Sequence, residues 1–403
     1  MRITAFLCAW IGAACTSPLA GDPYLDWRPL AADGARVGEA IVVVAQDDSG
    51  DLRGNDEEVL REGLRRLAAS GGTLEIRPGR YLVRNGLRIP SGVTVRGTRR
   101  TVLAIPRPSL LTAPAPAGSR ELRIGDSSEI VSGTYLEVLP PSAEGNWPAE
   151  VPLEERVVRV AEVRPGLLLL AGSLARDLPA GARVGCAPKM LQVDAAHDVT
   201  IEHLVLDGGR VEEIPMPGHH KRTAVWVTSH FSHEEGPQGE PSRNVLVRHC
   251  VLRNLYGRAV AMYNTVDSAV IGCRIRDVAD EAIDFDHFTY RCRALGNEIR
   301  DAVFGITIND GSRNVVEYNR IRACETGIAI WWLSSIDPQG LNQENVLRHN
   351  FVEDSRPTAI SLGRNCHRNV VRDNFIQGSL EVLEDTNEVA GNWNEEDVVA
   401  AER

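Results

Sequence analysis

The segment Asp280-Glu-Ala-Ile-Asp-Phe-Asp-His287 carries the residue types best suited to chemistry. Asp284 and Asp286 are two residues apart, with Ile283 and Phe285 interleaved. Acids alternating with apolar residues predict a half-exposed β-strand, on which positions i and i+2 point to one side. Two exposed carboxylates on one face can act as acid and base or hold a hard cation. Two strand residues span about 6.6 Å, near the lower end of the roughly 6.5–9.5 Å that leaves room for a water between paired carboxyls. Like charges so close raise one of the two pKa values, which separates acid from base.

The elements that must position this pair are legible as a repeat. Aligning Arg248-His-Cys-Val-Leu-Arg253 with its later copies gives one column: Cys250, Cys273, Asn297, Asn319, Asn350 and Asn374, at steps of 23, 24, 22, 31 and 24 residues. Such a period is the mark of a stacked solenoid. Stacked asparagines that bond to one another satisfy buried polar groups along a turn, and cysteine fits the same tight position. A second column reads Ala259-Val-Ala-Met, Ala282-Ile-Asp-Phe, Gly305-Ile-Thr-Ile, Gly327-Ile-Ala-Ile and Ala359-Ile-Ser-Leu. Short strands at this period with no helices between them predict an all-β, right-handed parallel β-helix, whose strands stack about 4.8 Å apart.

Asn55-Asp-Glu-Glu58 reads as an N-cap followed by acids, opening a helix with Val59, Leu60, Leu64 and Leu67 on one face. A helix there caps the open end of the solenoid. Residues 107–188 break the repeat and predict an inserted antiparallel β-subdomain. The expected organisation is a signal peptide over 1–20, the cap and first coils over 21–106, the insertion, the main β-helix over 189–394 and an acidic tail over 395–403. Arg2 followed by an apolar run predicts export to the periplasm or outside the cell, with Cys15 a candidate lipidation point. No later run is long enough to span a membrane. The net charge of −11 argues against nucleic-acid partners.

The outward positions of successive strands read Trp226, Ala261, Asp284, Thr307, Ala329 and Ser361, and then Thr228, Tyr263, Asp286, Asn309, Trp331 and Gly363. Just beyond them come Asn264, His287, Asp310, Trp332 and Arg364. Acids beside exposed aromatics predict a saccharide surface, and a solvated polar face is the alternative. Insertions at 231–242 and 333–343, with 208–222 carrying Lys221 from the other edge, are expected to wall a groove suited to a polymer. The expected catalytic set is Asp284, Asp286, His287, Asp310 and Tyr263. Trp226, Asn309, Trp331, Trp332, Arg364 and Lys221 are the expected substrate contacts.

Residues Asp51 to Val102, with the later repeats, resemble the pectate-lyase-like superfamily of polysaccharide lyases, polygalacturonase-type glycosidases and mannuronan C5-epimerases. That resemblance implies a carbohydrate-active enzyme acting on a polysaccharide, by β-elimination or C5-epimerisation of a uronic-acid glycan. It further implies a Ca²⁺ ion on Asp284, Asp286 and Asp310 that neutralises the substrate carboxylate, and no organic cofactor. Mannuronan epimerases carry a Tyr, an Asp-Pro-His and a downstream Asp; here Asp286-His287 lacks the proline and Tyr263 comes from the preceding coil. Two alternatives stand beside this reading: an inverting glycoside hydrolase using the paired aspartates, and a non-catalytic glycan-binding β-helix.

Overall fold

The computed structural model describes residues 39–143, 153–218, 221–333 and 341–394. The expected export signal, Cys15, most of the 333–343 wall and the acidic tail lie outside the described residues.

Helix α1 (Glu57–Leu67) starts at Asp56, not Asn55: its extended backbone (φ −138°, ψ −177°) lets its carboxylate accept from the Glu58 N–H at 3.2 Å. Glu57 and Glu58 in the first turn and Arg65 and Arg66 in the last complement the helix dipole. Leu60, Leu64 and Leu67 are buried in the same core as Val42 and Leu74 of the first strands. At Gly63 an added Cβ would come within 2.5 Å of Leu74, so glycine is what lets the helix sit down on the coil end.

Behind the cap the chain winds into stacked coils whose strands pair in parallel, forming a 13-stranded and a 17-stranded sheet. The strands that carry the outward positions are β1 (Val225–Thr228), β2 (Val260–Met262), β3 (Arg274–Phe285), β4 (Glu298–Asn309), β5 (Thr326–Trp331) and β6 (Thr358–Leu362). Val225, Val227, Val260, Met262, Ile283, Phe285, Ile306, Ile308, Ile328, Ile330, Ile360 and Leu362 point inward and are fully buried. Each contributes about 1.5–3 kcal/mol of transfer free energy, so the period-two pattern holds the register of every coil. β3 and β4 are longer than a short strand, 12 residues each, because they run through a corner of the coil.

Corners repeat in columns too. His203, His249, Gly272, Gly296, Tyr318, His349, Asp373 and Gly391 all adopt positive φ, between 54° and 62°. His203 therefore belongs to the exposed corner column and stacks on His249 at 5.3 Å.

Immediately after this corner, Asn297 donates to Asn319 (2.9 Å), Asn319 to Asn350 (3.0 Å), Asn350 to Asn374 (2.9 Å) and Asn374 to Asn392 (2.9 Å). Cys250 and Cys273 head this ladder as free, buried thiols. A second ladder, Asn314, Asn345, Asn369 and Asn387 below Cys292, runs along another corner. It runs parallel to the first ladder, five residues before it on each coil, and was not singled out in the sequence.

The inserted subdomain is a six-stranded antiparallel sheet from Ser109 to Cys186. Its Glu137 is buried and meets Arg156 at 3.0 Å, Lys221 at 2.7 Å and Arg222 at 2.8 Å, tying the insertion to the segment that leads into β1. Burial opposes the charge of Glu137, yet Arg222 and Lys221 hold its carboxyl below the usual range.

Candidate active site

Register confirms the predicted columns: Trp226 pairs with Ala261, Ala261 with Asp284, Asp284 with Thr307, Thr307 with Ala329 and Ala329 with Ser361. Asp284 and Asp286 do share the outward face. The expectation of an exposed pair is wrong, however: Asp284 is fully buried and Asp286 is 3% exposed. Strand alternation distinguishes inside from outside of the coil. It cannot report what later folds over the outside.

What covers them is Arg258, from the corner between Val251–Leu255 and β2. Its Nη1 lies 3.0 Å from Asp284 Oδ2 and 3.2 Å from Asp286 Oδ2, and its Nε is 2.8 Å from Glu281 and 4.0 Å from Asp280. The register of β3 slips between Val278 and Glu281, and a slip of this kind re-aims side chains. Both Asp280 and Glu281 thereby reach the guanidinium. Arg258 also donates to the hydroxyl of Tyr263. The oxygens of Asp284 and Asp286 share one nitrogen, so their separation cannot exceed the sum of those two distances, about 6.2 Å.

The two carboxyls titrate in opposite directions. Burial, together with the charges of Asp286 and Glu281, keeps Asp284 well above the usual carboxylate range, which Arg258 only partly offsets. Asp284 Oδ1 accepts from Thr307 (2.8 Å) and Asn309 (3.0 Å), but Oδ2 has no aligned hydrogen-bond donor despite its short contact with Arg258. Burial also acts against Asp286. There His287, Arg258 and the Tyr263 hydroxyl outweigh it and hold the group below the usual range. Burial and the Asp286 charge push the Tyr263 phenol well above 10. The face thus holds one proton-bearing and one ionised carboxyl, the division acid–base chemistry needs.

His287 hangs between two acids, with Nδ1 2.6 Å from Asp310 Oδ2 and Nε2 3.2 Å from Asp286 Oδ1. Asp310 is itself held by the Leu333 N–H at 2.8 Å and by Asn342 at 3.4 Å. Over the ring lie His233, at 4.3 Å between centroids, and Phe231, both from the first wall loop. Asp284, Asp286, His287, Asp310 and Tyr263 therefore do come together.

The expected substrate contacts divide. Trp226 is buried and stacks on Tyr263 at 4.7 Å, so it is no open platform. Asn309 has its amide on Asp284. Trp331, Trp332 and Arg364 line one shallow depression with Leu333, Gly363 and Asn365. Lys221 is elsewhere, bound to Glu137. Sequence reasoning left out Arg258, Glu281, Thr307, Phe231 and His233 as members of the centre. Thr307 stood in the outward column, Glu281 in the opening segment and Phe231 and His233 in the first wall insertion, whereas Arg258 showed only as an arginine one coil before the acids.

The donor set does not fit a bridging cation. A guanidinium already stands between Asp284 and Asp286, and Asp310 is engaged with His287. Among the described residues, no three His, Cys, Asp or Glu side chains converge in a way that could hold a metal ion.

Residues 227–340 match the family model for the right handed beta helix region. The chain is a right-handed parallel β-helix protein. The sequence repeat and the parallel pairing of successive coils agree with that fold. No curated protein matches this β-helix protein in sequence. Among solved structures it is similar to the A-module of a mannuronan C-5 epimerase from Azotobacter vinelandii, at 12% identity over 87% of this chain and 96% of that one, TM-score 0.44. A DFA-IIIase from Arthrobacter chlorophenolicus A6 matches at 11% identity over 88% and 79%, TM-score 0.42. A tailspike protein of E. coli bacteriophage HK620 matches at 11% over 88% and 62%, TM-score 0.43. These likenesses concern the fold. Among the described residues no helix is long and apolar enough to cross a membrane.

Proposed function

We propose that this β-helix protein is a glycan-processing enzyme that removes the C5 proton of a uronic-acid unit without a bound metal, most directly as a β-eliminating lyase. The observation that carries this reading is a buried carboxyl pair on one face within reach of one guanidinium: burial and acidic neighbours favour the protonated form of Asp284, while His287 and Arg258 favour the ionised form of Asp286. Asp286 serves as the base. Arg258, with the Tyr263 hydroxyl, supplies fixed positive and donor groups for the charge that grows on the sugar carboxylate. Asp284 returns a proton to the departing oxygen, and Asp310 orients His287 beside the base.

Acid and base on the same face favour a syn elimination, in which both proton transfers take place on one side of the sugar, as the cis arrangement of the C5 proton and O4 in mannuronate allows. Epimerisation needs donor and acceptor on opposite sides of the ring. Hydrolysis by inversion needs carboxyls roughly 6.5–9.5 Å apart, and a separation of at most about 6.2 Å leaves no room for the attacking water. The sugar reaches Asp286 past the Phe231–His233 turn, so binding displaces that turn from over His287.

Incubation with polygalacturonate, alginate and neutral glycans, with and without chelator, tests the reading. New ultraviolet absorbance from unsaturated uronate ends, unaffected by chelator, is the expected result. New reducing ends without absorbance would establish a hydrolase, and binding without turnover a glycan-binding module; either outcome overturns the proposal.

A further inference from the structure

The chain has two lysines, Lys189 and Lys221. Lys221 is neutralised by Glu137. The ammonium of Lys189 lies over the Trp226 ring, 3.5 Å from its centroid, and among the described residues no carboxylate comes within ion-pair distance of it. The neighbouring acid, Asp194, is bound to Arg88. Burial pushes Lys189 down to about 8, with Asp194 partly opposing and Arg258 adding to the effect. A half-dried cation on an aromatic face, with no carboxylate in direct contact, is a site prepared for an anion.

Its position links it to the acid–base centre. Trp226 stacks on Tyr263, whose hydroxyl accepts from Arg258, which contacts Asp284 and Asp286. Trp226 stands two strands from Asp284 in the same outward column, about 10 Å away at ordinary strand spacing. Beside it, on the strands that pair Asp194 with Thr228, opens a shallow depression lined by Asp194, Thr228, Ser229, His230 and Phe231.

We propose that Lys189, seated on Trp226, forms a carboxylate-recognising subsite that binds the uronate unit next to the reacting one. The inference rests on the elimination reading and adds to it: two successive acidic units are required, so polyuronates are selected over mixed or neutral glycans. Lys189 is here a specificity residue and takes no part in the chemistry.

The test uses the full chain with tetrasaccharides of galacturonate and mannuronate and their carboxyl-reduced counterparts. Calorimetry on Lys189→Met should show at least a tenfold loss of affinity for the acidic tetrasaccharides and under twofold change for the reduced ones, with Lys189→Arg recovering most of the loss. Reductive ¹³C-methylation adds a readout independent of the variants' folding. Of the two lysine signals, the one absent in Lys189→Arg should shift when acidic tetrasaccharide is added, and should stay in place with the reduced one. If wild type cleaves polyuronates while Lys189→Met binds them as tightly and the signal stays put, the subsite is wrong and the elimination reading stands. If wild type ignores acidic glycans and acts on or binds neutral ones, both fall.

Discussion

Two buried ionic clusters in this protein are near opposites in composition. In one, a single carboxylate, Glu137, faces Arg156, Lys221 and Arg222. In the other, a single guanidinium, Arg258, faces Asp280, Glu281, Asp284 and Asp286. Depth of burial does not separate them; what does is how the surplus charge can be relieved. Surplus arginines cannot lose their protons, and they turn instead to main-chain oxygens, as Arg222 does to Pro217 O at 2.6 Å. Surplus carboxyls relieve their repulsion by taking up protons. Asp284 is driven well above its ordinary range, Glu281 is pushed up to about 7 mainly by burial, and Asp286 stays below. The cation-rich cluster keeps its carboxylate ionised and locks the insertion to the coil. The acid-rich cluster has several, and that makes it the candidate for proton transfer.

The comparison breaks most sharply on turnover. Asp286→Asn and Asp284→Asn should each lower kcat on the responsive polyuronate by about 10²–10⁴-fold while circular dichroism stays native. Glu137→Gln should leave kcat within about twofold. Wild-type-like rates in both aspartate variants would sink the proposed centre. Stability reverses the order: Glu137→Gln leaves buried cations without their counter-charge and should cost about 3–5 kcal/mol in urea denaturation. Asp284→Asn should cost far less, because the native group already carries a proton.

A pH series sharpens the contrast. Glu137 has a depressed folded pKa, so its stabilisation is complete above its unfolded value of about 4.5 and fades as pH falls through the folded value. Asp284 has a raised folded pKa, so folding favours its neutral form, and stability from this group falls as pH rises through and above the unfolded carboxylate range. Melting temperatures followed from pH 3 to 9 should therefore show an acid-side loss that Glu137→Gln removes. They should also show a loss on raising pH that Asp284→Asn reduces and that Glu281, raised to about 7, continues to feed. Asn350→Ala, which interrupts one ladder without touching either cluster, should cost about 1–3 kcal/mol through unsatisfied neighbours. Smallest of all, Arg320→Ala on the exposed pair with Glu353 should change stability by less than about 1 kcal/mol.

Much of this was legible beforehand for a physical reason. Each coil buries the same kinds of side chain at the same positions, so Ile283, Ile306, Ile328 and Ile360 identify one column, and the step from Asn319 to Asn350 survives an insertion. Once the columns are known, Asp284, Asp286, His287 and Asp310 must be neighbours. The occupants of the space above them were not legible. Arg258 sits in a corner, where no alternation reports side-chain direction, and Lys221 was assigned to the groove although it turns to Glu137 in the insertion. Trp226 was read as an open sugar platform because outward means exposed only where nothing packs on top.

The sequence alone determined the solenoid, its register and the gathering of the acids, because these follow from short-range periodicity repeated coil after coil. Tertiary structure decided that the acid pair is buried, that a guanidinium stands between the two carboxyls, and that their facing oxygens lie no more than about 6.2 Å apart. Those facts depend on side chains arriving from corners and loops of other coils, and their desolvation and mutual repulsion exist only once the coils are stacked.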